Sequence, residues 1–232
     1  MGAKEAKPEA KRLTYKGITL DAIKRFYDAI KLYDKAIEID PNYPNAFFNK
    51  GNSLNQLKKY DKALDCFDKA IQLNSKYHVA FNNRGISLKK LKRFAEALSS
   101  YDQAIDLANE PECFYNKGNI LDDLNKYEDA LKCYDKAIEL NPLDALAFNN
   151  KGVTLDNLGR FEQGLIFYEK AIELEPEFEE AYVNKGLCLF DLERFQEALE
   201  MFDLVLEKNP DHQLALKTRN QTIEMLNKES DQ

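Results

Sequence analysis

Asn49, Asn83, Asn116, Asn150 and Asn184 follow one another at spacings of 34, 33, 34 and 34 residues. A side-chain amide carries a donor and an acceptor together, so five in register on one face can bond the backbone of an extended chain in both directions. Such a ladder reads main chain and ignores sequence. At about 0.5–1.5 kcal/mol net per bond, five contacts yield roughly 3–7 kcal/mol, short of the ~8 kcal/mol of micromolar affinity. Neighbouring side chains must therefore add to it. Asn52 and Asn119 stand three places after two of the ladder residues, and Phe48, Tyr115, Ile86, Val153, Val183 and Leu187 offer apolar contact. Asp122, Asp123, Asp156 and Asp191 supply negative charge in the C-terminal half, with Lys89 and Lys90 the main opposing charges. That balance points to a partner segment with basic residues. A second reading stands beside it, in which the asparagines only bond neighbouring helices.

Other chemistry has no footing in the chain. The two histidines, His78 and His212, are too far apart in the pattern to share a site, and no phosphate-cradling glycine loop, metalloprotease helix or nucleophile elbow occurs. The four cysteines lack zinc-ligand spacing. Neither a catalytic centre, a metal nor a cofactor is expected. A net charge of −7 in 232 residues weighs against general nucleic-acid binding. No apolar run approaches the ~20 residues of a membrane span, and the N-terminus lacks the apolar stretch of a secretory signal. The expected setting is cytoplasmic, without membrane attachment.

The elements that must position the amides follow from a second period. Glycine recurs at 17, 51, 85, 118, 152 and 186. Each has Leu13, Phe47, Phe81, Phe114, Phe148 or Tyr182 four places before it, and a leucine three places after. Twelve after it stands Ala29, Ala63, Ala97, Ala130, Gly164 or Ala198, and sixteen after it Tyr33, Phe67, Tyr101, Tyr134, Tyr168 or Phe202. On a helix at 100° per residue, Phe47, Gly51, Leu54 and Leu57 form one apolar stripe, with Asn45, Asn49, Asn52 and Gln56 opposite. Lys58-Lys59-Tyr60 makes a turn, and Ala63, Phe67, Ala70 and Ile71 mark a returning helix. Gly51 and Ala63 read as small because the two helices cross closely there. Prolines such as Pro41 close the units. The unit from His78 is one residue short, which predicts an altered connection at Asn109-Glu110-Pro111.

These landmarks, in this order, resemble the tetratricopeptide repeat over roughly residues 10–212. The resemblance implies an all-α solenoid of six helix-turn-helix units in a right-handed superhelix. The units run 10–43, 44–77, 78–110, 111–144, 145–178 and 179–212, with a capping helix at 213–227 and tails at 1–9 and 228–232. It also implies that the first-helix faces line a concave groove for a peptide or a partner helix. Some family members clamp C-terminal carboxylates with Lys, Arg and Asn. Here Asn52 and Asn83 match, but Phe48, Glu112 and Asn116 stand where the basic residues belong, so that clamp is disfavoured.

The expected function is a non-catalytic scaffold for protein–protein interaction. Alternatives are a self-assembling oligomer, which exposed apolar surface at Tyr15 or Leu214 would favour, a consensus-guided design with no natural partner, or a recruiting or regulatory subunit of an enzyme complex. One departure from the family pattern remains. Lys16, Lys50, Arg84, Lys117, Lys151 and Lys185 precede the glycines, where the family prefers leucine. They are either snorkelling stems or partners of the acid seventeen after each glycine: Asp34, Asp68, Asp102, Asp135, Glu169 or Asp203.

Overall fold

The computed structural model describes residues 6–230, and among them every regular element is an α-helix. They run α1 Pro8–Ala22, α2 Phe26–Ile39, α3 Pro44–Gln56, α4 Tyr60–Leu73, α5 His78–Lys90, α6 Phe94–Leu107 and α7 Pro111–Asp123. The series continues with α8 Tyr127–Leu140, α9 Ala145–Asn157, α10 Phe161–Leu174, α11 Glu179–Asp191, α12 Phe195–Lys208 and α13 Gln213–Ser230. This is the all-α solenoid of helical repeats. The N-terminal tail expected to residue 9 is already helical from Pro8. The Lys7 backbone N–H donates to Asp40 Oδ2 (3.0 Å), and Lys7 Nζ donates to the Ile39 carbonyl (2.6 Å). Similarly, α13 runs to Ser230, past the expected end of the cap. Residues 1–5 and 231–232 lie outside the described residues.

Within a pair, a left-handed residue ends the first helix. Lys24, Lys58, Lys92, Asn125, Gly159 and Glu193 all have φ between 57° and 70°. The next N–H then reaches back five residues, as from Arg25 to the Leu20 carbonyl (2.9 Å) and from Lys59 to Leu54 (2.9 Å). That bond satisfies carbonyls the helix end would otherwise orphan. Between pairs, Asp40, Asn74 and Asn141 accept from the backbone N–H two places on, at 3.2–3.3 Å, a turn that short polar side chains stabilise. The shortened junction after α6 is accommodated at Ala108. Its ψ is 130°, against 92° at the corresponding Asn74 and 87° at Asn141.

The recurring glycine has a more specific cause than a close crossing beside alanine. A Cβ at Gly17, Gly51, Gly85, Gly118, Gly152 or Gly186 would come within 2.4–2.8 Å of Cε1 of the aromatic ring sixteen residues on. The ring lies flat against the bare helix backbone. Tyr33, Phe67, Tyr101, Tyr134, Tyr168 and Phe202 are thereby wholly or almost wholly buried, each worth roughly 1.5–3 kcal/mol of burial.

The chain divides into two compact units, Met1–Lys117 and Gly118–Gln232, with the boundary inside α7. In the first, Leu54, Ala63, Cys66 and Phe67 make one core cluster, while Phe81, Ala104 and Cys113 make another. In the second, Tyr168, Val183, Leu189, Ala198 and Phe202 belong to a larger cluster. All four cysteines are free and buried. Burial pushes the Cys66 thiol up to about 11 and the Cys113 thiol up to about 12.

Candidate functional site

The polar face of α3, α5, α7, α9 and α11 carries the amides, and their donors are engaged within the protein. Asn83 Nδ2 donates to Asn52 Oδ1 (2.7 Å), and Asn150 Nδ2 to Asn119 Oδ1 (2.9 Å). Asn116 Nδ2 donates to Asn82 Oδ1 (3.2 Å) and Asn184 Nδ2 to Asn149 Oδ1 (3.0 Å). Each bond joins one repeat to the one before it. Asn49 has only Ile18 and Thr14 at the matching acceptor places of the first repeat, and donates to its own helix at the Asn45 carbonyl (2.7 Å). Asn82 and Asn149 are buried, and each also donates toward a carboxylate of the next repeat, Glu112 (3.2 Å) and Glu180 (3.5 Å). Their position, three before glycine, gives no signal in the sequence, because along the repeats it reads Thr14, Phe48, Asn82, Tyr115, Asn149 and Val183.

A second row runs parallel. Ser53, Ser87 and Thr154 donate hydroxyl protons to Asp21 (2.7 Å), Asn55 (2.8 Å) and Asp122 (2.7 Å) of the preceding repeat. Asp156 stands in the equivalent place. It accepts from Tyr168 Oη (2.6 Å) and from Cys188 Sγ (3.3 Å). Asp122 and Asp156 were expected as groove charges selecting a basic segment, but both are occupied inside the stack. Burial drives the Asp156 carboxyl up to about 6, partly offset by the Tyr168 and Cys188 hydrogen bonds. Gly164, which the sequence left without a purpose, makes room for it: a Cβ there would sit 2.3 Å from Asp156 Oδ1. Asp123 and Asp191 are exposed.

The apolar candidates separate by burial. Val183 is buried in the core. Phe48 packs its ring against Phe67 and Tyr77, with centroids 6.0 and 4.9 Å away, so it is held by the fold. Tyr115, Ile86, Val153 and Leu187 are half-buried. Ile86 lines an open depression of about 430 Å³ in the first unit, with Asn52, Asn55, Gln56, Tyr60, Asn83 and Lys90. Lys90 is exposed and has no hydrogen bond or ion pair. Two further depressions in this unit, of about 450 and 350 Å³, are bordered by second-helix residues and by the pairs Lys50–Asp34 and Arg84–Asp68.

Those pairs belong to a ladder offset by one repeat from the expected one. Lys50 bonds Asp34 (2.6 Å), Arg84 Asp68 (2.6 Å), Lys117 Asp102 (2.5 Å) and Lys185 Glu169 (2.9 Å), and Lys151 pairs with Asp135. Arg219 of α13 continues the series to Asp203 (2.5 Å). Each cation reaches back to the preceding repeat's acid rather than to the acid of its own repeat. The acids are about half exposed, which limits each pair to roughly 0–1 kcal/mol. Over whole units the charge is lopsided. Residues 1–117 hold 21 Lys and Arg against 15 Asp and Glu, a net of +6, while residues 118–232 hold 12 against 25, a net of −13.

Among the described residues no group of three or more His, Cys, Asp or Glu is placed to hold a metal ion, and no helix is long and apolar enough to cross a membrane. A tetratricopeptide repeat family model matches residues 44–77, 111–143 and 179–212. Related repeat models match 24–57, 79–111 and 133–165. No curated protein sequence matches. Among solved structures, the chain is similar to YrrB, described as a TPR protein with an unusual peptide-binding site. The identity is 28% and the TM-score 0.66, covering 81% of this chain and 97% of that one. It is also similar to PilW, a type IV pilus biogenesis factor (18% identity, TM-score 0.85, covering 92% and 99%). PilF of Pseudomonas aeruginosa gives 17% identity and a TM-score of 0.80, covering 92% and 97%.

Proposed function

We propose that this chain, which belongs to the tetratricopeptide repeat family, is a non-catalytic protein–protein interaction scaffold. It holds an extended segment of a partner on the polar face of its odd-numbered helices. The observation that carries the reading is the depression bounded by Asn52, Asn83, Ile86 and Lys90. It joins a half-buried apolar floor, several amides and one unpaired ammonium on rigid helices, the mixture that peptide recognition uses. The peptide-binding site named for YrrB supports looking for one here.

The asparagines and the contact residues divide the work. Each engaged Nδ2 has a second proton, so Asn83, Asn116 and Asn184 can still meet a partner carbonyl while they join repeats. Their first task is structural, and the stated sum of roughly 3–7 kcal/mol is no longer all available to a ligand. Contact then rests on Ile86, Gln56, Tyr60 and Lys90 in the first unit. In the second it rests on Asn119, Asp123 and Asp191, where basic residues of the partner would sit.

The test is selection of peptides from a random displayed library on the intact protein, followed by titration against variants. Ile86→Lys and Lys90→Glu should each weaken the selected peptides about tenfold with an unchanged melting temperature. Asn150→Ala combined with Asn184→Ala should lower the melting temperature by several degrees, at about 1 kcal/mol per lost bond. Failure to enrich any peptide, or affinity indifferent to Ile86 and Lys90, would remove this face from consideration.

A further inference from the structure

We propose that the protein associates with itself head to tail, the basic first repeat of one copy docking on an acidic, leucine-rich turn in the second unit of another. The starting observation is the opposite net charge of the two units, +6 and −13. A chain that carries both signs in separate bodies has its own complementary partner at hand in every copy. Complementary potentials raise the encounter rate and fix which surfaces meet.

Each unit also exposes an apolar patch, the first in a repeat (residues 10–43) that holds 7 Lys and Arg against 5 Asp and Glu, a net of +2. In the first repeat, Tyr15 is 67% exposed, Ile18 42%, Ile23 61% and Tyr27 60%. Tyr15 and Ile18 occupy the places that Asn49 and Asn52 hold in α3. Around them Lys16 and Lys24 are exposed. In the second unit, Leu143 is 75% exposed, Leu146 47% and Leu140 36%. Leu143 stands where the other inter-repeat turns carry Asn42, Lys76, Glu177 and Asp211, so the fold does not require a leucine there. The next turn of the same unit reads Glu175-Pro176-Glu177, all three exposed, with Glu177 paired to Lys208 (2.9 Å). Apolar patches of a few residues inside a charged rim are the usual build of a contact surface.

The two patches are different, so the contact is heterologous. It leaves a free head on one copy and a free tail on the other, and it grows into a ring or an open chain. This inference does not depend on what the depression at Ile86 binds.

Sedimentation velocity of the full chain at low and high salt tests it. At low salt the weight-average mass should rise with protein concentration beyond a dimer. The apparent dissociation constant should weaken about tenfold or more in high salt, as the exposed charges are screened. Lys16→Glu with Lys24→Glu, and separately Glu175→Lys with Glu177→Lys, should each give monomers. An equimolar mixture of the two variants should assemble again, because reversed head then meets reversed tail. Leu143→Gln, at an exposed turn that cannot threaten folding, should also weaken assembly about tenfold. Either of two results overturns the proposal: a wild-type chain that stays monomeric at low salt, or assembly indifferent to the charge reversals and their mixing. Peptide binding at Ile86, measured on the same variants, should be unchanged, so failure here leaves the scaffold reading standing.

Discussion

At the scale of single residues, Asp156 is the clearest point where the fold has been adjusted around one group. Its carboxyl is driven up to about 6 mainly by burial. Because the folded value lies above the ordinary 3.8, the folded state holds the proton more tightly than the unfolded chain. Stability linked to that proton is complete below pH 3.8 and is lost as pH rises through 6. The group is only partly buried, so solvent screening holds the effect to about 1–2 kcal/mol. Asp156→Asn keeps an acceptor for Tyr168 and removes the charge. It should be the more stable form at pH 7.5, and the two melting temperatures should converge as pH falls to 4.5. The Tyr168 hydroxyl and Cys188 thiol that face it are both pushed up by burial and keep their protons between those limits. Gly164→Ala sharpens the point. Helix propensity alone favours alanine by about 1 kcal/mol, yet the added Cβ would meet Asp156 Oδ1 at 2.3 Å. The substitution should destabilise the native chain and become neutral or stabilising in an Asp156→Ala background. A gain in both backgrounds, in thermal melts of all four proteins, would mean the carboxylate does not need that space.

At the scale of the helix pair, two devices repeat, and each has a measurable cost. The ring against bare backbone predicts that Gly51→Ala loses about 2–4 kcal/mol, since Phe67 must move from a fully buried place. Adding Phe67→Leu should recover part of the loss, a coupling that a double-mutant cycle in urea would read directly. The turn predicts a gain. Lys24, Lys58, Lys92 and Glu193 hold φ near +58°, a conformation that costs a residue with a Cβ about 1–2 kcal/mol. Glycine avoids that cost but loses up to about 1 kcal/mol through the freer unfolded chain. Each change to glycine should therefore raise stability by about 0.5 kcal/mol, with the four nearly additive because they lie in separate repeats. Gly159 already holds that conformation at the fifth turn.

At the scale of the whole molecule, a repeat contacts its neighbours and little else, so stability is close to a sum of units and nearest-neighbour terms. Gly51→Ala should then raise amide exchange in α3 and α4 and their neighbours, while protection in α11 and α12 changes by less than about 0.5 kcal/mol. An equal loss along the entire chain, in native-state exchange read by mass spectrometry, would show long-range cooperativity that the helix-to-helix packing does not provide. The same locality is what permits the two units to differ so widely in charge. Side chains on a solenoid's surface are free to diverge once the glycine, alanine and aromatic positions are kept.

The repeat, the helix pairs and the family were legible in the sequence because each depends on residues close along the chain. Gly51 and Phe67 are sixteen apart, and the helix that holds one returns directly to bury the other. The asparagine register was equally visible. What the amides bond was not, because Asn83 and Asn52 meet only when one repeat stacks on the next, and the chain order states which repeats adjoin but not which face turns inward. The cation ladder shows the same limit: every partner type was readable, and the offset to the preceding repeat was not. Asp122 and Asp156 read as free charges because nothing close along the chain marks the partners they meet in the fold. Only the stacking brings Thr154 to the first and Cys188 to the second, while Tyr168 reaches Asp156 from the returning helix of the same repeat; a hydrogen bond between repeats at 2.7–3.3 Å is decided by geometry that no single repeat contains.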